Sequence, residues 1–444
     1  SRTARPPHAS ATAPDRPDDQ QLKEAFGPVF DHIAADAADR DNRRELPTEA
    51  VGLLRDAGFT TLRVPVDRGG SGATLRQTFS LLIDLAAADP NLTQALRVHF
   101  STVEGFLAAV DSTDPATARA AEDGLNAVAD GTLYGNAISE RGVGAADRYQ
   151  TRLTPLLDDS GRTTGRYVLN GTKYYSTGSL FADVIVVAAD LDGERVAVTV
   201  PVTADGVHQI DDWDGFGQRV TGSGTTVFDA VEVGEEAVAA GGYGTPGRTP
   251  ETAFLQLFHL AALSGIARRA ADDARDHVAL RERTYSHAPA DVPREDPLVQ
   301  AVLGRVNAAA FTARATTLAV ADLIEEAAGT WNVQDPQDAQ DGQDAQDGSR
   351  VDAAELAAAE AQVALVPLVL DAVNEVFETG GASLASGALN LDRHWRNART
   401  LAQHNPVVYK QRAVGRYALT GDGSVLPYAW SAGVRGTSGV PFTP

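Results

Sequence analysis

The side chains best suited to chemistry gather in a basic stretch near the carboxyl end of the chain, ETGGASLASGALNLDRHWRNARTLAQHNP. It spans residues 378–406 and contains three arginines and two histidines around a tryptophan: Arg393, His394, Arg396, Arg399 and His404. Guanidinium groups suit phosphate or carboxylate recognition, but in an acidic protein they also pair with Asp and Glu of neighbouring helices. His404, at a helix end, suits proton chemistry or stabilisation by the helix dipole.

Other candidate side chains lie earlier in the chain. His99 is mid-helix in ALRVHFSTVEGF, where a histidine is either a site residue or a hydrogen-bonded core residue. Asn136 and Ser139 in YGNAISERGVG, and Ser176 in TKYYSTGSLFAD, lie at strand ends beside two tyrosines. Amides and hydroxyls at such edges suit a flat heteroaromatic ligand, although ordinary turns use the same residues. No phosphate-binding loop, His-Glu-x-x-His motif or nucleophile elbow is present, and no metal site is expected.

The hydrophobic period that positions these residues changes twice along the chain. Residues 21–131 carry apolar side chains three and four apart, which predicts an N-terminal helical domain. Residues 132–235 alternate with period two or run β-branched, with Asp192-Gly193 as a hairpin turn, which predicts a middle β domain. Residues 250–424 return to the helical period in four long segments, typical of a C-terminal helical bundle. The predicted fold class is α+β.

Three segments lack this periodicity. Residues 1–20, rich in Pro, Asp and Arg, and residues 425–444 are predicted to be tails. QDPQDAQDGQDAQDG, within residues 334–349, repeats Gln-Asp every third residue and is predicted to be a solvated loop.

Composition limits the classes of partner. With 60 acidic and 38 basic side chains the formal charge is -22, which disfavours binding to nucleic acid or anionic membranes. The absence of cysteine excludes disulfides, thiolate nucleophiles and sulfur-ligated metals. No apolar run approaches the roughly 20 residues that span a bilayer, so cytoplasmic residence is expected. Methionine is also absent, which indicates either a biased genome, an omission of modified residues or a sequence that spares sulfur.

Four sequence words in this domain order resemble the acyl-CoA dehydrogenase superfamily from about residue 20 onwards. They are PVDRGGSG (65–72), SERGVGAAD (139–147), LNGTKYYSTG (169–178) and ETGGAS followed by DRHWRNAR. VLNGTKYYSTGSLFADV, DDWDGFGQRVTGSGTT and DRHWRNARTLAQHNPVVYK are most similar to its flavin-dependent monooxygenase branch, which includes dibenzothiophene monooxygenase and other sulfur-acquisition oxidoreductases. The resemblance implies an N-terminal helical domain, a β-barrel-like middle domain and a C-terminal four-helix bundle.

The residue expected to take an acyl α-proton is missing. In many dehydrogenases of the superfamily it is a glutamate between a Gly-Gly pair and an arginine motif. Counted forward from the glycine pair its position here is Gly387, and counted back from the arginine motif it is Ala388. Neither side chain accepts a proton. Some dehydrogenases carry the base on another helix, so an FAD-dependent acyl-CoA dehydrogenase with a displaced base stays an alternative.

The monooxygenase resemblance implies a two-component enzyme. Reduced flavin would react with O2 to give a C4a-hydroperoxide that oxygenates a small organosulfur compound, or an amine as in related amino-sugar enzymes. The cofactor would be FMN more readily than FAD, and a separate NAD(P)H:flavin reductase would supply it reduced, because no nicotinamide-binding motif is found. The resemblance also implies a homotetramer.

The same resemblance implies roles for individual residues. The catalytic positions at the reactive edge of the flavin are His99, Ser176 and His404. The cofactor-binding positions are Asn136, Ser139, Ser176, Trp213, Arg283, Ser383 and His404. Trp213 would wall the pocket, and Arg283 in RERTYSH would hold phosphate. Ser383 stands where the family uses another phosphate-binding arginine.

Overall fold

The computed structural model describes residues 16–141, 149–241, 249–328 and 342–426. The first domain is helical: α1 (Asp19–Arg43), α2 (Thr48–Asp56), α3 (Leu75–Ala88), α4 (Pro90–Ala95), α5 (Arg97–Ala109) and α6 (Pro115–Ala129). Asp18 caps α1 by accepting a hydrogen bond from the backbone N–H of Gln21 at 2.8 Å. Helix α1 therefore begins inside the predicted tail 1–20, most of which lies outside the described residues.

The middle domain is a mixed sheet of eight described strands. They are β1 (Tyr134–Ala137), β2 (Arg152–Leu157), β3 (Thr163–Lys173), β4 (Val184–Leu191), β5 (Glu194–Pro201), β6 (Val207–Ile210), β7 (Thr225–Gly234) and β8 (Val238–Ala240). The strand order is β6-β7-β3-β2-β4-β5-β8, and β1 pairs in parallel with β4. The predicted hairpin turn joins β4 to β5, with φ of 52° at Asp192 and 96° at Gly193. Both values are left-handed, as a type I′ turn requires.

The C-terminal domain is a bundle of α7 (Glu251–Leu280), α8 (Pro297–Ala327), α9 (Gly342–Glu375), α10 (Asp392–Ala402) and α11 (Val407–Thr420). The fourth predicted helical segment is thus two shorter helices, α10 and α11. Of the predicted loop 334–349, residues 334–341 lie outside the described residues, whereas the chain is helical from Gly342. Gln and Ala are good helix formers, which favours this earlier helix start despite the intervening aspartates.

The largest hydrophobic core joins the first and last domains, because α3 packs against both α7 and α8. Phe79 of α3 contacts Phe254 and Phe258 of α7, with ring centroids 5.6 and 4.9 Å apart. Among the described residues, one helical stretch, Gly348–Thr379, is long and apolar enough to span a bilayer by length and composition. It comprises most of α9 and the turn that follows. Half of its most apolar window is buried, as in an ordinary core helix of a bundle.

Candidate active site

All three domains converge on one cavity of about 760 Å³. The helical wall comes from α5, the first turns of α7 and the end of α10, and the opposite wall comes from β1, β4, β5 and the loop between β6 and β7. The predicted site residues that line it are Asn136, Ser139, Trp213 and His404. Those that do not line it are His99, Ser176, Arg283 and Ser383.

The loop before β7 is held over the cavity by α10. Gly217 packs directly on the backbone carbonyl of Arg396, where a Cβ atom would collide with that carbonyl. The backbone N–H of Gln218 donates to Oδ1 of Asn397 at 2.6 Å. Nε1 of Trp213 donates to the carbonyl of Gln218 at 2.8 Å, which fixes the indole as a wall of the cavity.

Several amide groups face the cavity without a protein partner. Oδ1 of Asn136, Oε1 of Gln94 and both side-chain amide atoms of Gln218 are buried and have no hydrogen-bond partner among the described residues. Buried polar atoms left unpaired cost about 1–3 kcal/mol each, so proteins rarely keep them without a ligand or water. The unpaired set contains both donors and acceptors, which matches the edge of a flat heteroaromatic ring.

The contact between His404 and Asn405 sets the tautomer of this cavity-lining histidine. Nδ2 of Asn405 lies 3.1 Å from Nδ1 of His404 and 3.0 Å from Oε1 of Gln256. Because an amide nitrogen donates, Nδ1 of His404 accepts and the ring proton resides on Nε2. His404 lines the cavity, and its side chain is accessible there. The surrounding protein, with the charges of Arg97 and Lys410, lowers the pKa of His404 to about 3.

A second histidine, absent from the sequence predictions, lies behind His404. The ring centroids of His259 and His404 are 4.2 Å apart. Nε2 of His259 lies 3.4 Å from Nη1 of Arg97. Burial, followed by the charges of His404, Arg97 and Lys410, lowers the pKa of His259 well below its usual value. Burial raises the pKa of Glu355, whose charge interacts with that of Lys410, to about 7.

His99 lies in the core beside the cavity. It is fully buried, with Nε2 2.8 Å from the carbonyl of Thr60. Its Nδ1 accepts a hydrogen bond from the backbone N–H of Tyr134 at 3.3 Å. Both ring nitrogens are therefore used by the backbone, and burial lowers the pKa of His99 to about 4. This arrangement ties α5 to β1 and keeps the imidazole neutral.

The two predicted serines differ in their surroundings. Ser139 is exposed, lines the cavity and pairs through its backbone with Tyr174. Ser176 is fully buried, and its Oγ has no hydrogen-bond partner among the described residues. Its neighbours Tyr175 and Thr177 line the cavity. Tyr175 has a φ of 57° and makes an edge contact with Trp213, 5.8 Å between centroids.

Arg283 and Ser383 are exposed on the bundle. Their two segments lie side by side, because Nη1 of Arg281 donates to the carbonyl of Thr379 at 3.2 Å. The structure thus brings the two predicted phosphate contacts near each other, but outside the cavity lining of the same chain.

The arginines of the basic stretch pair mainly with neighbouring acids. Nη2 of Arg393 lies 2.8 Å from Asp273, which His394 also contacts at 2.8 Å. Arg396 contacts Asp41 at 2.8 Å and Asp392 at 2.7 Å. Arg399 donates to Gln403 at 2.6 Å. The stretch therefore anchors α10 to the other helices. Its described contacts agree with pairing to neighbouring Asp and Glu side chains.

The described residues that line the cavity include one acidic side chain, that of Glu251, the first residue of α7. Burial raises its pKa, opposed by a hydrogen bond from Ser101. Sequence reasoning missed Glu251 because an acid in a first helical turn is an ordinary complement to the helix dipole. Gly387 and Ala388, the positions of the missing base, are exposed and do not line the cavity.

The chain is similar to known proteins over nearly its whole length. Residues 17–111 match "Acyl-CoA dehydrogenase, N-terminal domain" and residues 257–409 match "Acyl-CoA dehydrogenase, C-terminal domain". Dibenzothiophene monooxygenase of Mycolicibacterium goodii is 30% identical over 86% of this chain and 89% of the relative. Amino sugar nitrososynthase DnmZ of Streptomyces peucetius is 29% identical over 70% of this chain and 75% of the relative. The FMN-bound crystal structure of TdsC from Paenibacillus sp. A11-2 superposes with a TM-score of 0.75 at 28% identity, covering 92% of this chain and 98% of TdsC.

Proposed function

The chain belongs to the acyl-CoA dehydrogenase family, and from its similarity to dibenzothiophene monooxygenase we propose that it is an FMNH2-dependent monooxygenase of small organosulfur compounds. The observation that carries this proposal is a cavity that joins unpaired amide groups to a neutral histidine donor. The unpaired amide groups fit a flavin ring. The neutral histidine fits an oxygen transfer that needs no base to remove an acyl α-proton.

The unpaired atoms of Asn136 and Gln218 would hold the flavin ring, and Trp213 would pack against it. When bound, reduced FMN activates O2 and supplies one oxygen atom to the substrate sulfur. The second oxygen atom would leave as water, with both reducing equivalents drawn from the reduced cofactor.

The protein's own contribution is hydrogen bonding and exclusion of water. Nε2–H of His404 would donate to the oxygen that is being transferred, while Asn405 keeps that proton in place. Arg97 and Lys410 favour negative charge at this end of the cavity and keep His404 from taking up a second proton. Catalytic contacts of His99 and Ser176 with the flavin stay predictions, since both side chains lie behind the cavity wall.

We also propose that the phosphate of FMN is held by a second copy of the chain. Arg283 and Ser383 are exposed and lie outside the cavity lining, so their contact with FMN requires the copies to pack together. Such a shared site needs at least two copies of the chain and fits the predicted homotetramer. The proposed reaction uses flavin reduced by a separate NAD(P)H-dependent reductase, which is consistent with the expected cytoplasmic residence.

The test is incubation with FMN, a generic flavin reductase, NADH and ¹⁸O2. A sulfide should gain one labelled oxygen atom by mass spectrometry, and omission of the reductase or of FMN should abolish the gain. Absence of label across panels of both sulfides and amines would overturn the proposal. Labelling of amines alone would move the assignment to N-oxygenation, the activity class named for the nitrososynthase relative.

The second candidate is an acyl-CoA dehydrogenase with a displaced base, favoured by one observation. Glu251 places a carboxyl group in the cavity on α7, although the usual positions hold Gly387 and Ala388. Anaerobic addition of acyl-CoA to protein loaded with FAD should then bleach the flavin. Unchanged flavin absorbance with a panel of chain lengths would remove this candidate.

A further inference from the structure

A line of side-chain amides runs from the cavity into the helical bundle. It begins at Asn405, between α10 and α11, and continues through Gln256 of α7 to Gln362 of α9. Nδ2 of Asn405 lies 3.0 Å from Oε1 of Gln256, and Nε2 of Gln362 lies 2.7 Å from the same oxygen. These three residues, called the amide relay below, therefore meet at one carbonyl oxygen.

The amide relay has a direction. An amide nitrogen donates and an amide oxygen accepts, so Oε1 of Gln256 accepts from both of its neighbours. Turning the Gln256 amide over would place its Nε2 opposite two other N–H donors. The contacts of Gln362 and Asn405 therefore hold Gln256 with its oxygen toward Asn405.

This direction determines which nitrogen of His404 carries the proton. Asn405 presents the same Nδ2 to Nδ1 of His404, 3.1 Å away, so that Nδ1 must accept. The ring proton then lies on Nε2. If every amide in the relay were turned over, Asn405 would present its oxygen to His404 and the proton would lie on Nδ1.

Burial makes the direction of the relay costly to change. Gln256 is 1% exposed and Gln362 is 6% exposed. Nε2 of Gln256 and Oε1 of Gln362 have no hydrogen-bond partner among the described residues. The hydrogen bond from Gln362 to Gln256 is therefore the described side-chain contact that orients the Gln362 amide. Losing it would leave two more buried polar atoms unpaired.

Packing alone does not explain an amide at position 362. Ala358, Leu365 and Val369 lie on the same side of α9 and are buried and apolar. An apolar side chain would fill the position without the free-energy cost of burying an amide. A donor at this position instead keeps Oε1 of Gln256 turned toward the bundle interior and Asn405.

We propose that Gln362 is a positioning residue that sets the tautomer of His404 through Gln256 and Asn405. The effect on oxygen transfer rests on the proposed monooxygenase function, in which Nε2–H of His404 donates to the oxygen being transferred. The effect on the tautomer does not depend on that function, because it follows from the direction of the amide relay.

The test is ¹⁵N NMR of protein labelled in histidine and loaded with oxidised FMN at neutral pH. The spectrum distinguishes a ring nitrogen that carries a proton from one that does not, and loss of signals in His404→Phe assigns those of His404. The wild type should carry the proton on Nε2. Gln362→Met and Gln362→Leu, which remove the donor but keep an apolar side chain of similar length, should raise the Nδ1–H population about fivefold.

Two further variants calibrate the measurement. Asn405→Asp presents only oxygen atoms to the ring and should place a proton on Nδ1. Gln300→Met, at an exposed position of α8, is the matched control and should leave the His404 signals unchanged. Unchanged FMN affinity and circular dichroism show that the Gln362 variants are folded.

A wild type with its proton on Nδ1 would overturn the proposal, as would Gln362 variants whose His404 signals match the wild type. In the oxygenation assay, Gln362→Met should lower labelled product relative to released hydrogen peroxide several-fold at unchanged FMN affinity. The expected shift in tautomer without oxygenation by the wild type would support the relay and count against the proposed function alone.

Discussion

The imidazole rings of His259 and His404 lie 4.2 Å apart at an interplanar angle of 49°. Arg97 contacts His259 at 3.4 Å, and the charges of Arg97 and Lys410 act on both rings. Protonating either histidine would place a third positive charge beside Arg97 and Lys410, so both stay neutral. His404 consequently presents the same Nε2–H donor across the neutral pH range.

Replacing His404 should separate flavin binding from oxygen transfer. We expect His404→Phe to lower the rate of labelled oxygen transfer by about 10² or more, because it removes a donor aimed at the reacting oxygen. FMN affinity should change only a few-fold, and release of hydrogen peroxide should rise. His32→Phe is the matched control, since the His32 side chain is 68% exposed on α1. Equal rates for the two variants would remove the proposed role of His404.

His99 should affect stability in a pH-dependent way. In the unfolded chain it binds a proton as the pH falls below about 6.5, whereas in the folded protein it does so only below about 4. The unfolded chain therefore binds more protons between these values, and the free energy of unfolding decreases as the pH falls through this window. For a fully buried group this amounts to about 3 kcal/mol.

His99→Asn removes this titration while keeping an acceptor for the Tyr134 N–H. The pH dependence of its unfolding free energy, measured in urea, should be shallower than that of the wild type between pH 6.5 and 4. Parallel curves would contradict the assigned pKa shift. Oxygenation by the folded variant at neutral pH also tests the catalytic role predicted for His99, since a large loss of rate at unchanged FMN affinity would support it.

The domain order could be predicted from the sequence because the spacing of apolar side chains differs between helices and strands. The hairpin at Asp192-Gly193 was predictable for the same reason, since turn type is a local property. The pairing of Arg396 with Asp41 joins residues 355 positions apart, so no local pattern indicates it. His259 and Glu251 were missed because each looks like an ordinary residue of a long helix. Only the packing of α7 against α5 and α10 brings Glu251 to the cavity and His259 against His404.

The loop that carries Trp213 should depend on Gly217. Gly217→Ala places a methyl group against the carbonyl of Arg396, so the loop must move away from α10. We expect FMN affinity to fall at least about tenfold and the melting temperature to decrease. Gly304→Ala in α8 is the control, because its Cβ atom would meet open space. It should leave FMN affinity unchanged and raise the unfolding free energy by up to about 1 kcal/mol. Equal FMN affinities would show that the loop does not need this contact.

The space available to substrate beside α5 should depend on Gly105, which lines the cavity. Gly105→Leu in α5 adds an isobutyl group at a cavity-lining position where a Cβ atom would meet no protein atom within 4 Å. We expect kcat/KM to fall about 10² or more for dibenzothiophene and to change less than about fivefold for dimethyl sulfide, since only the larger molecule needs that volume. Gly304→Leu, on the exposed face of α8, controls for the general effect of a new leucine in a helix. A parallel fall for both substrates in Gly105→Leu would locate the bound sulfur compound elsewhere in the cavity.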